Sequence, residues 1–291
     1  MFDRTILQTF LQEIISFTEC LELLAVTVQQ KPLIRMTGSA NRLETLVALM
    51  RKLDLPHVIA PIHLVPRFDS NLDDHFASIA PGLPQDGQEG VLFAGLAEAV
   101  SAAMELELHG CPTMDAARLY GYPLCCAQNY DEHIQQGEYW INSFLSGLHG
   151  VVWAPWFMNR IGRLFSPCLS SLPDYFPCHL QCPASLELAK EYMTLLEKLD
   201  LALLVQLVKE HLTRPVLRHA GCLYLLQPSK EQELPAANTT MIAEIVDVIS
   251  YAGAKIPENS LVLTYKNGAL HIQTPGHVYT PESDTTLLLF K

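Results

Sequence analysis

Two short segments, residues 121–126 and 176–185, together hold four of the eight cysteines in the chain. Each segment is predicted to be a turn that runs into the first turn of a helix, because glycine or proline precedes the cysteines in both. Thiols in that position lie near unpaired backbone N–H groups and near the positive end of the helix dipole, and both favour the thiolate form. Two thiolate pairs placed in this way are the ligands that a metal or iron–sulfur site requires.

The spacing within each pair limits how the four thiols can share one metal. Cys178 and Cys182 form a Cys-x3-Cys pair just before a helix, which allows both to converge on one ion. Cys125 and Cys126 are adjacent, and neighbours on a helix point about 100° apart. We therefore expect one of them to be a ligand and the other to face a substrate, unless the turn is not yet helical there. The fourth ligand is left open among the remaining cysteine, His179, Cys168 and an exogenous molecule.

Such ligands suit two kinds of metal site, one closed and one with an open position. A closed set of four thiolates fits structural zinc or an electron-transfer cluster, whereas three protein ligands and an open position fit chemistry at the metal. The spacing matches neither a zinc-finger Cys-x2-Cys pair nor a ferredoxin Cys-x2-Cys-x2-Cys run. We favour a 4Fe–4S iron–sulfur cluster, with zinc as the alternative. The metal ligands are predicted to be Cys125, Cys126, Cys178 and Cys182, with His179 as a further candidate.

The cysteines also have two explanations that need no metal. Buried cysteines often act as small hydrophobic side chains, and we expect this of Cys20 and Cys222, which lie in predicted apolar elements. A thiol–disulfide enzyme could instead use Cys125 and Cys126 as a redox pair. The clustering of four cysteines at two predicted helix starts favours a metal over both explanations.

Four residues near the cysteines are candidates for catalysis: Cys126, Tyr122, His133 and Arg160. Cys126 would face the substrate if it is not a ligand. Tyr122 could donate a hydrogen bond to a sulfur atom or simply pack, and His133 with Glu132 could relay protons or lie on a solvated helix face. Arg160 could bind a substrate carboxylate or phosphate, or form a structural salt bridge. The sequence contains no phosphate-binding glycine loop, nucleophile elbow or His-Glu-x-x-His motif.

The elements that must position these residues are predicted from hydrophobic periodicity. The predicted helices cover residues 5–29, 41–53, 96–108, 113–120 and 239–251, further helices begin at Pro123 and Pro183, and residues 138–165 are largely helical or irregular. The predicted strands cover residues 32–36, 57–60, 62–65, 90–94, 222–226, 261–265, 270–273 and 286–290. Asn267-Gly268 suits the type I′ turn of a hairpin between two of these strands.

The order of these elements predicts an α+β or α/β protein. We expect three segments: an α/β segment over residues 1–107, a helical, cysteine-bearing segment over residues 108–215, and an α+β segment with a C-terminal hairpin over residues 216–291. The first and last segments are expected to share one mixed sheet. The metal site would then lie on the helical segment between them.

The composition is that of a well-packed globular protein, with 49% hydrophobic and 17% charged residues. The net charge of −12 argues against nucleic acid or an anionic membrane surface as a partner, because neither attracts an acidic protein. No cleavable signal peptide and no apolar run long enough to span a membrane is visible. We therefore expect a cytoplasmic protein that acts on a small-molecule substrate or redox partner, in a compartment where clustered cysteines are seldom disulfides.

The two cysteine segments resemble those of a family of uncharacterised, mainly archaeal proteins, which have a Gly-Tyr-Pro-x-Cys-Cys stretch followed by a Pro-Cys-x3-Cys-x2-Ser stretch. In this chain the two stretches are residues 121–126 and 177–185, and the resemblance covers residues 117–190 only. It implies that the four cysteines act as one site. The family carries no settled activity, so the resemblance supports a metal site and leaves the reaction open.

These observations predict a metalloprotein that holds an iron–sulfur cluster or zinc, with redox or sulfur-transfer chemistry on a small molecule if one metal position is open. Two alternatives remain. One is a non-catalytic binding or scaffold protein with structural zinc, and the other is a thiol–disulfide enzyme that uses Cys125 and Cys126. Removal of metal by a chelator distinguishes these two alternatives, because it would destabilise a structural-zinc protein and leave a thiol enzyme, which holds no metal, unchanged.

Overall fold

A computed structural model gives the architecture of the chain, and its helices and strands confirm the α+β class. The described residues are 17–65, 78–109, 113–134, 144–145, 147–159, 172, 175, 177–201, 205–206, 209–210, 212–228, 239–250, 255–257, 259–266, 269–279 and 285–290. The predictions for residues 5–16 and for the Asn267–Gly268 turn lie outside these ranges. The chain divides into two compact units, one around each of two sheets.

The described part of the first unit contains a four-stranded antiparallel sheet. In spatial order its strands are β1 Leu33–Ser39, β4 Glu89–Gly95, β2 His57–Val65 and β3 Ser78–Pro81. The register between β2 and β4 shifts between Ile59 and His63. This irregularity accommodates Pro61, which has no N–H to donate to the ladder. The two strands expected over residues 57–60 and 62–65 are therefore one irregular strand.

Helices of the same unit cover the sheet. They are α1 Phe17–Thr27, α2 Ala40–Lys52, α3 Ala97–His109 and α4 Thr113–Tyr120. Helix α2 packs on β1 and β4, and helix α3 packs on β2 and β4, each through small or aliphatic side chains on one face. Ser39 caps α2, because its Oγ accepts the N–H of Arg42, three residues further on, at 3.4 Å.

In the second unit, the described strands form one eight-stranded mixed sheet. In spatial order they are β11 Val278–Tyr279, β10 Ala269–Gln273, β9 Ser260–Lys266, β8 Thr239–Ser250, β7 Cys222–Pro228, β6 Val216–His219, β12 Thr286–Phe290 and β5 Gly150–Ala154. Only β12 and β5 pair in parallel among these neighbours. The hairpin of β9 and β10 is confirmed by the pairing of Lys266 with Ala269.

Two secondary-structure predictions for this unit are wrong. Residues 239–250 form strand β8 instead of a helix, paired with β7 on one side and β9 on the other. Met241 and Ala243 are buried while Ile242 and Val246 are exposed, so the burial alternates as in a strand. Apolar residues on both faces hid that alternation in the sequence. Strand β5 lies within residues 138–165, where helical or irregular structure was expected, and its pairing with β12 stabilises it.

The strands of the first and last thirds form two sheets in the described residues rather than the one shared sheet that was expected. Strands β6 to β10 each pair with the next strand along the chain. Pairing between sequence neighbours needs only short connections and is the commoner arrangement. The last third can therefore complete its sheet without strands from residues 33–95.

Candidate metal centre

The first cysteine pair lies at the start of helix α5 Leu124–Asn129. Helix α4 ends at Gly121, whose φ of +70° is the left-handed conformation typical of a glycine that ends a helix. Pro123 is the residue just before α5, one position earlier than predicted, and its carbonyl accepts the N–H of Cys126 at 3.0 Å. These turns place Cys125 and Cys126 in the first turn of α5, as the sequence predicted.

The second cysteine pair leads into helix α6 Pro183–Lys198. The N–H of Cys182 donates to the carbonyl of His179 at 3.2 Å, which closes a turn between the two cysteines. The carbonyl of Cys182 then accepts the N–H of Leu186 at 2.9 Å, which is the first hydrogen bond of the helix. Cys182 is therefore the N-cap residue, and the predicted start of this helix at Pro183 is confirmed.

The sulfur atoms of Cys125, Cys126, Cys178 and Cys182 all lie within 4.8 Å of one another, close enough to bind a metal ion. The Sγ of Cys126 lies 3.9 Å from the Sγ of Cys125 and 3.9 Å from that of Cys178. Both adjacent cysteines therefore reach the cluster, although only one was expected to do so. Cys126 and Cys182 are buried, Cys178 is half-buried and Cys125 is exposed, and none of the four is in a disulfide.

His179, predicted as a further ligand, is not among the side chains of the described residues that meet at the cluster. Its side chain is exposed, and its Nδ1 accepts the N–H of Gln181 at 3.3 Å. Arg160, Cys168 and the side chain of His133 lie outside the described residues. The roles predicted for these residues therefore stay predictions.

Tyr122, two residues before the start of α5, packs among aromatic and charged groups. Its ring stacks on Tyr120 at a centroid distance of 5.6 Å and lies 5.0 Å from the ring of Tyr175. The ammonium group of Lys31 lies 4.9 Å from the centre of the Tyr122 ring, a cation–π contact, and it also pairs with Glu22 at 2.5 Å. Both partners of that ion pair are almost fully buried. The aromatic group before the first cysteine pair is thus fixed by stacking and by a buried charge.

A cavity of about 250 Å³ has Cys126 in its wall, and all its described lining residues, Cys126 included, belong to the first unit. The wall is mostly apolar and aromatic, with one ion pair. The lining residues used below are Arg35, Glu107, Ala116, Tyr120, Tyr122 and Tyr175. Because Cys126 belongs to both the thiol cluster and this wall, a small molecule in the cavity would lie beside the cluster.

Arg35 is a functional candidate that sequence reasoning missed. It lies on β1, and its Nε donates to the Glu107 carboxylate at 2.6 Å. Burial by itself lowers the pKa of Arg35, but the Glu107 carboxylate, with smaller contributions from Tyr120 and Tyr122, offsets this and raises the pKa above its ordinary value. Arg35 therefore stays cationic at the cavity wall. The signal in the sequence was a single arginine among the apolar residues at the start of β1, residues 33–36.

Two cysteines away from the cluster lie in the core, as expected. Cys20 on α1 is 2% exposed, and Cys222 on β7 is fully buried. Burial, with a smaller contribution from the Glu19 carboxylate, raises the pKa of the Cys20 thiol to about 12. At neutral pH Cys20 is therefore a protonated, apolar side chain and a useful comparison for the clustered thiols.

No family model matches the chain, and neither does any curated protein or solved structure with which it was compared. The resemblance of residues 117–190 to an archaeal family therefore stays a prediction. Among the helices of the described residues, none has the length and apolar character needed to cross a membrane. The site itself, a four-thiol cluster beside a cavity, is the basis for inferring a function.

Proposed function

We propose that this protein is a metalloprotein in which Cys125, Cys126, Cys178 and Cys182 hold one metal ion, and that this ion is zinc. The observation that carries the proposal is the mutual distance of the four sulfur atoms, each within 4.8 Å of the others. Thiolate sulfur is a preferred ligand of zinc, and four thiolates form a closed tetrahedral set. The donor chemistry and the donor spacing both fit such an ion.

The spacing supports a single ion more than a four-iron cluster. Thiolates about 2.3 Å from one zinc ion at tetrahedral angles lie roughly 3.8 Å from one another. The two sulfur–sulfur distances from Cys126 are both 3.9 Å, close to this value. In a 4Fe–4S cluster each thiolate binds a different iron, so the sulfur atoms lie roughly 6 Å apart. We therefore place zinc ahead of the cluster that the sequence favoured.

The role that follows for the metal is structural. An ion with four protein ligands has no open coordination position, so it holds protein segments together and does not itself bind a substrate. Cys126 and Cys178 are 52 positions apart in the chain. The folded chain brings them together and the unfolded chain does not, so metal binding adds to folding stability. Because Cys126 also lines the cavity, the ion would stabilise one wall of a binding site.

An iron–sulfur enzyme is the second candidate, and the exposure of Cys125 favours it. An exposed thiolate is more easily displaced from a metal than a buried one, which would leave a coordination position open. Redox or sulfur-transfer work on a small molecule would need such a position. In that case Cys126 and Tyr122, which line the cavity, would contact the substrate.

Metal and acid-labile sulfide analysis, with a visible spectrum, tests the proposal on protein purified anaerobically and without chelator. We expect about one zinc per chain, no sulfide and no visible absorption. A Cys178→Ala/Cys182→Ala variant should lose the zinc. The matched control is Cys20→Ala, which removes a buried thiol away from the cluster and should keep it.

The other outcomes separate the alternatives. Iron and sulfide in similar amounts, with broad visible absorption that the double variant loses, would replace zinc with the iron–sulfur enzyme. Protein free of both metals would overturn the metal proposal and leave Cys125 and Cys126 as a dithiol pair. Zinc that persists in the double variant would show that the ion binds elsewhere.

A further inference from the structure

We propose that the cavity beside Cys126 binds a small planar organic carboxylate, whose carboxylate group is held by Arg35. The proposed zinc site gives this cavity no ligand of its own, whereas a carboxylate bound by Arg35 does. Binding in the cavity does not require the metal. Only the position of the ligand beside a metal ion rests on the proposed function.

Arg35 has the donors that this ligand needs. Only its Nε donates a hydrogen bond to Glu107, at 2.6 Å. In the described part of the chain its two terminal NH2 groups have no hydrogen-bond acceptor. The side chain is 30% exposed and lies in the wall of the cavity, so it is accessible to a small molecule there. Two parallel N–H donors match the two oxygens of a carboxylate, which is the strongest form of arginine pairing.

Glu107 has a supporting role in this arrangement. Its carboxylate occupies the Nε side of the guanidinium and so orients the terminal groups. It also raises the pKa of Arg35, so the guanidinium stays charged. A ligand anion would bind at the opposite edge of the guanidinium, where its repulsion by Glu107 is least. Glu107 is therefore a positioning residue rather than a ligand contact.

The rest of the wall favours a flat, apolar ligand body. Tyr120, Tyr122 and Tyr175 all line the cavity, and the Tyr122 ring packs against the other two rings. Aromatic walls bind planar rings by offset stacking or edge contacts. A dry apolar cavity of about 150 Å³ is enough for benzene. The space here, about 250 Å³, therefore accommodates one ring with its carboxylate.

Binding of benzoate, measured by calorimetry or ligand-observed NMR, tests the proposal on metal-loaded and metal-free protein. Benzyl alcohol, which has the same ring without the charge, is the comparison ligand. We expect saturable benzoate binding that Arg35→Gln weakens about tenfold or more, with little effect on benzyl alcohol. Ala116→Phe, which fills the cavity from its wall, should abolish the binding of both.

Two further variants keep the test decisive. Arg35→Gln leaves Glu107 without its cation, so Arg35→Gln/Glu107→Gln, which neutralises both partners, should show the same loss of benzoate binding in a folded protein. Arg118→Gln, on an exposed ion pair of helix α4, should bind benzoate as the native protein does. Circular dichroism checks that each variant is folded.

The proposal is overturned if the native protein shows no saturable benzoate binding. It is equally overturned if the folded Arg35 variants bind benzoate as well as the native protein does, or if Arg118→Gln weakens binding as much as Arg35→Gln. Metal content, measured on the same samples, distinguishes a failure of the cavity proposal from a failure of the metal-centre proposal. Arginine-dependent binding by protein that contains no metal when it is purified without chelator would support the cavity and contradict the metal centre.

Discussion

At the scale of single residues, Cys126 belongs both to the thiol cluster and to the cavity wall. Its sulfur lies 3.9 Å from two other thiols, and its side chain forms part of the cavity wall. Nearby, Lys31 and Glu22 form an ion pair that is almost fully buried, and the Lys31 ammonium contacts the ring of Tyr122. The aromatic wall of the cavity is thus tied to a charge pair in the protein interior.

We expect Glu22→Gln to lower the free energy of unfolding by about 3 kcal/mol or more, because it leaves the Lys31 ammonium buried without its counter-charge. Replacing both partners with apolar residues, as in Glu22→Leu/Lys31→Met, should cost much less. Urea unfolding at pH 7 measures the difference. Asp115→Asn, which breaks the exposed pair with Arg118, is the control and should change stability by less than about 1 kcal/mol. Equal effects of Glu22→Gln and Asp115→Asn would contradict the expectation.

At the scale of elements, the junction between β4 and α3 depends on a close backbone approach. The N–H of Leu96 donates to the carbonyl of Pro32 at 2.9 Å, and Gly95 pairs with Leu33 at the start of β1. Gly95 has a φ of +153°, and a Cβ there would lie 2.2 Å from the carbonyl oxygen of Pro32. Only glycine allows the two strands to meet in this way. The same β1 strand carries Arg35 to the cavity.

Gly95→Ala is expected to destabilise the protein by about 3 kcal/mol, because backbone has to move to relieve the clash. Gly82→Ala is the matched control. Gly82 also has a positive φ, +112°, but no atom lies within 4 Å of the position that a Cβ would take there, so only the conformational cost of about 1 kcal/mol applies. Chemical denaturation of both variants separates the cost of the positive φ from the cost of the clash with Pro32. A Gly95→Ala variant no less stable than Gly82→Ala would show that the close approach is unimportant.

At the scale of the whole molecule, the thiol cluster joins segments that are distant in sequence. A metal bound there acts only on the folded chain, so its binding free energy adds to the stability of the fold. The effect is a property of the entire chain and not of one helix. It is therefore visible in global unfolding.

Removal of the proposed zinc by a chelator should lower the thermal midpoint by several degrees. At a metal concentration about 1,000 times the dissociation constant, the stability lost is about 4 kcal/mol. Differential scanning calorimetry with and without chelator makes the measurement. The Cys178→Ala/Cys182→Ala variant should unfold at the same temperature under both conditions. A chelator that shifts the variant as much as the native protein would mean that the cluster is not the site of the effect.

The turns and helix starts of this site could be predicted from sequence because interactions between neighbouring residues determine them. Gly121 and Pro123 specify the turn before α5, and Cys182 followed by Pro183 specifies the start of α6. Glycine relieves the steric cost of a positive φ, and proline is tolerated where a helix begins, whatever the rest of the chain does. The positions of the four clustered cysteines at helix starts follow from these residues alone.

Other features depended on the tertiary structure because they arise from long-range packing. Residues 239–250 have apolar side chains on both faces, and pairing with β7 and β9 decides that they form a strand. The convergence of Cys125 and Cys126 with Cys178 and Cys182 requires elements far apart in the chain. So does the approach of Arg35 to the wall that contains Cys126. The sequence by itself determined the chemistry of the thiols and the turns that present them. Only the tertiary structure decided their separation and the cavity beside them, since both depend on how helices and strands pack.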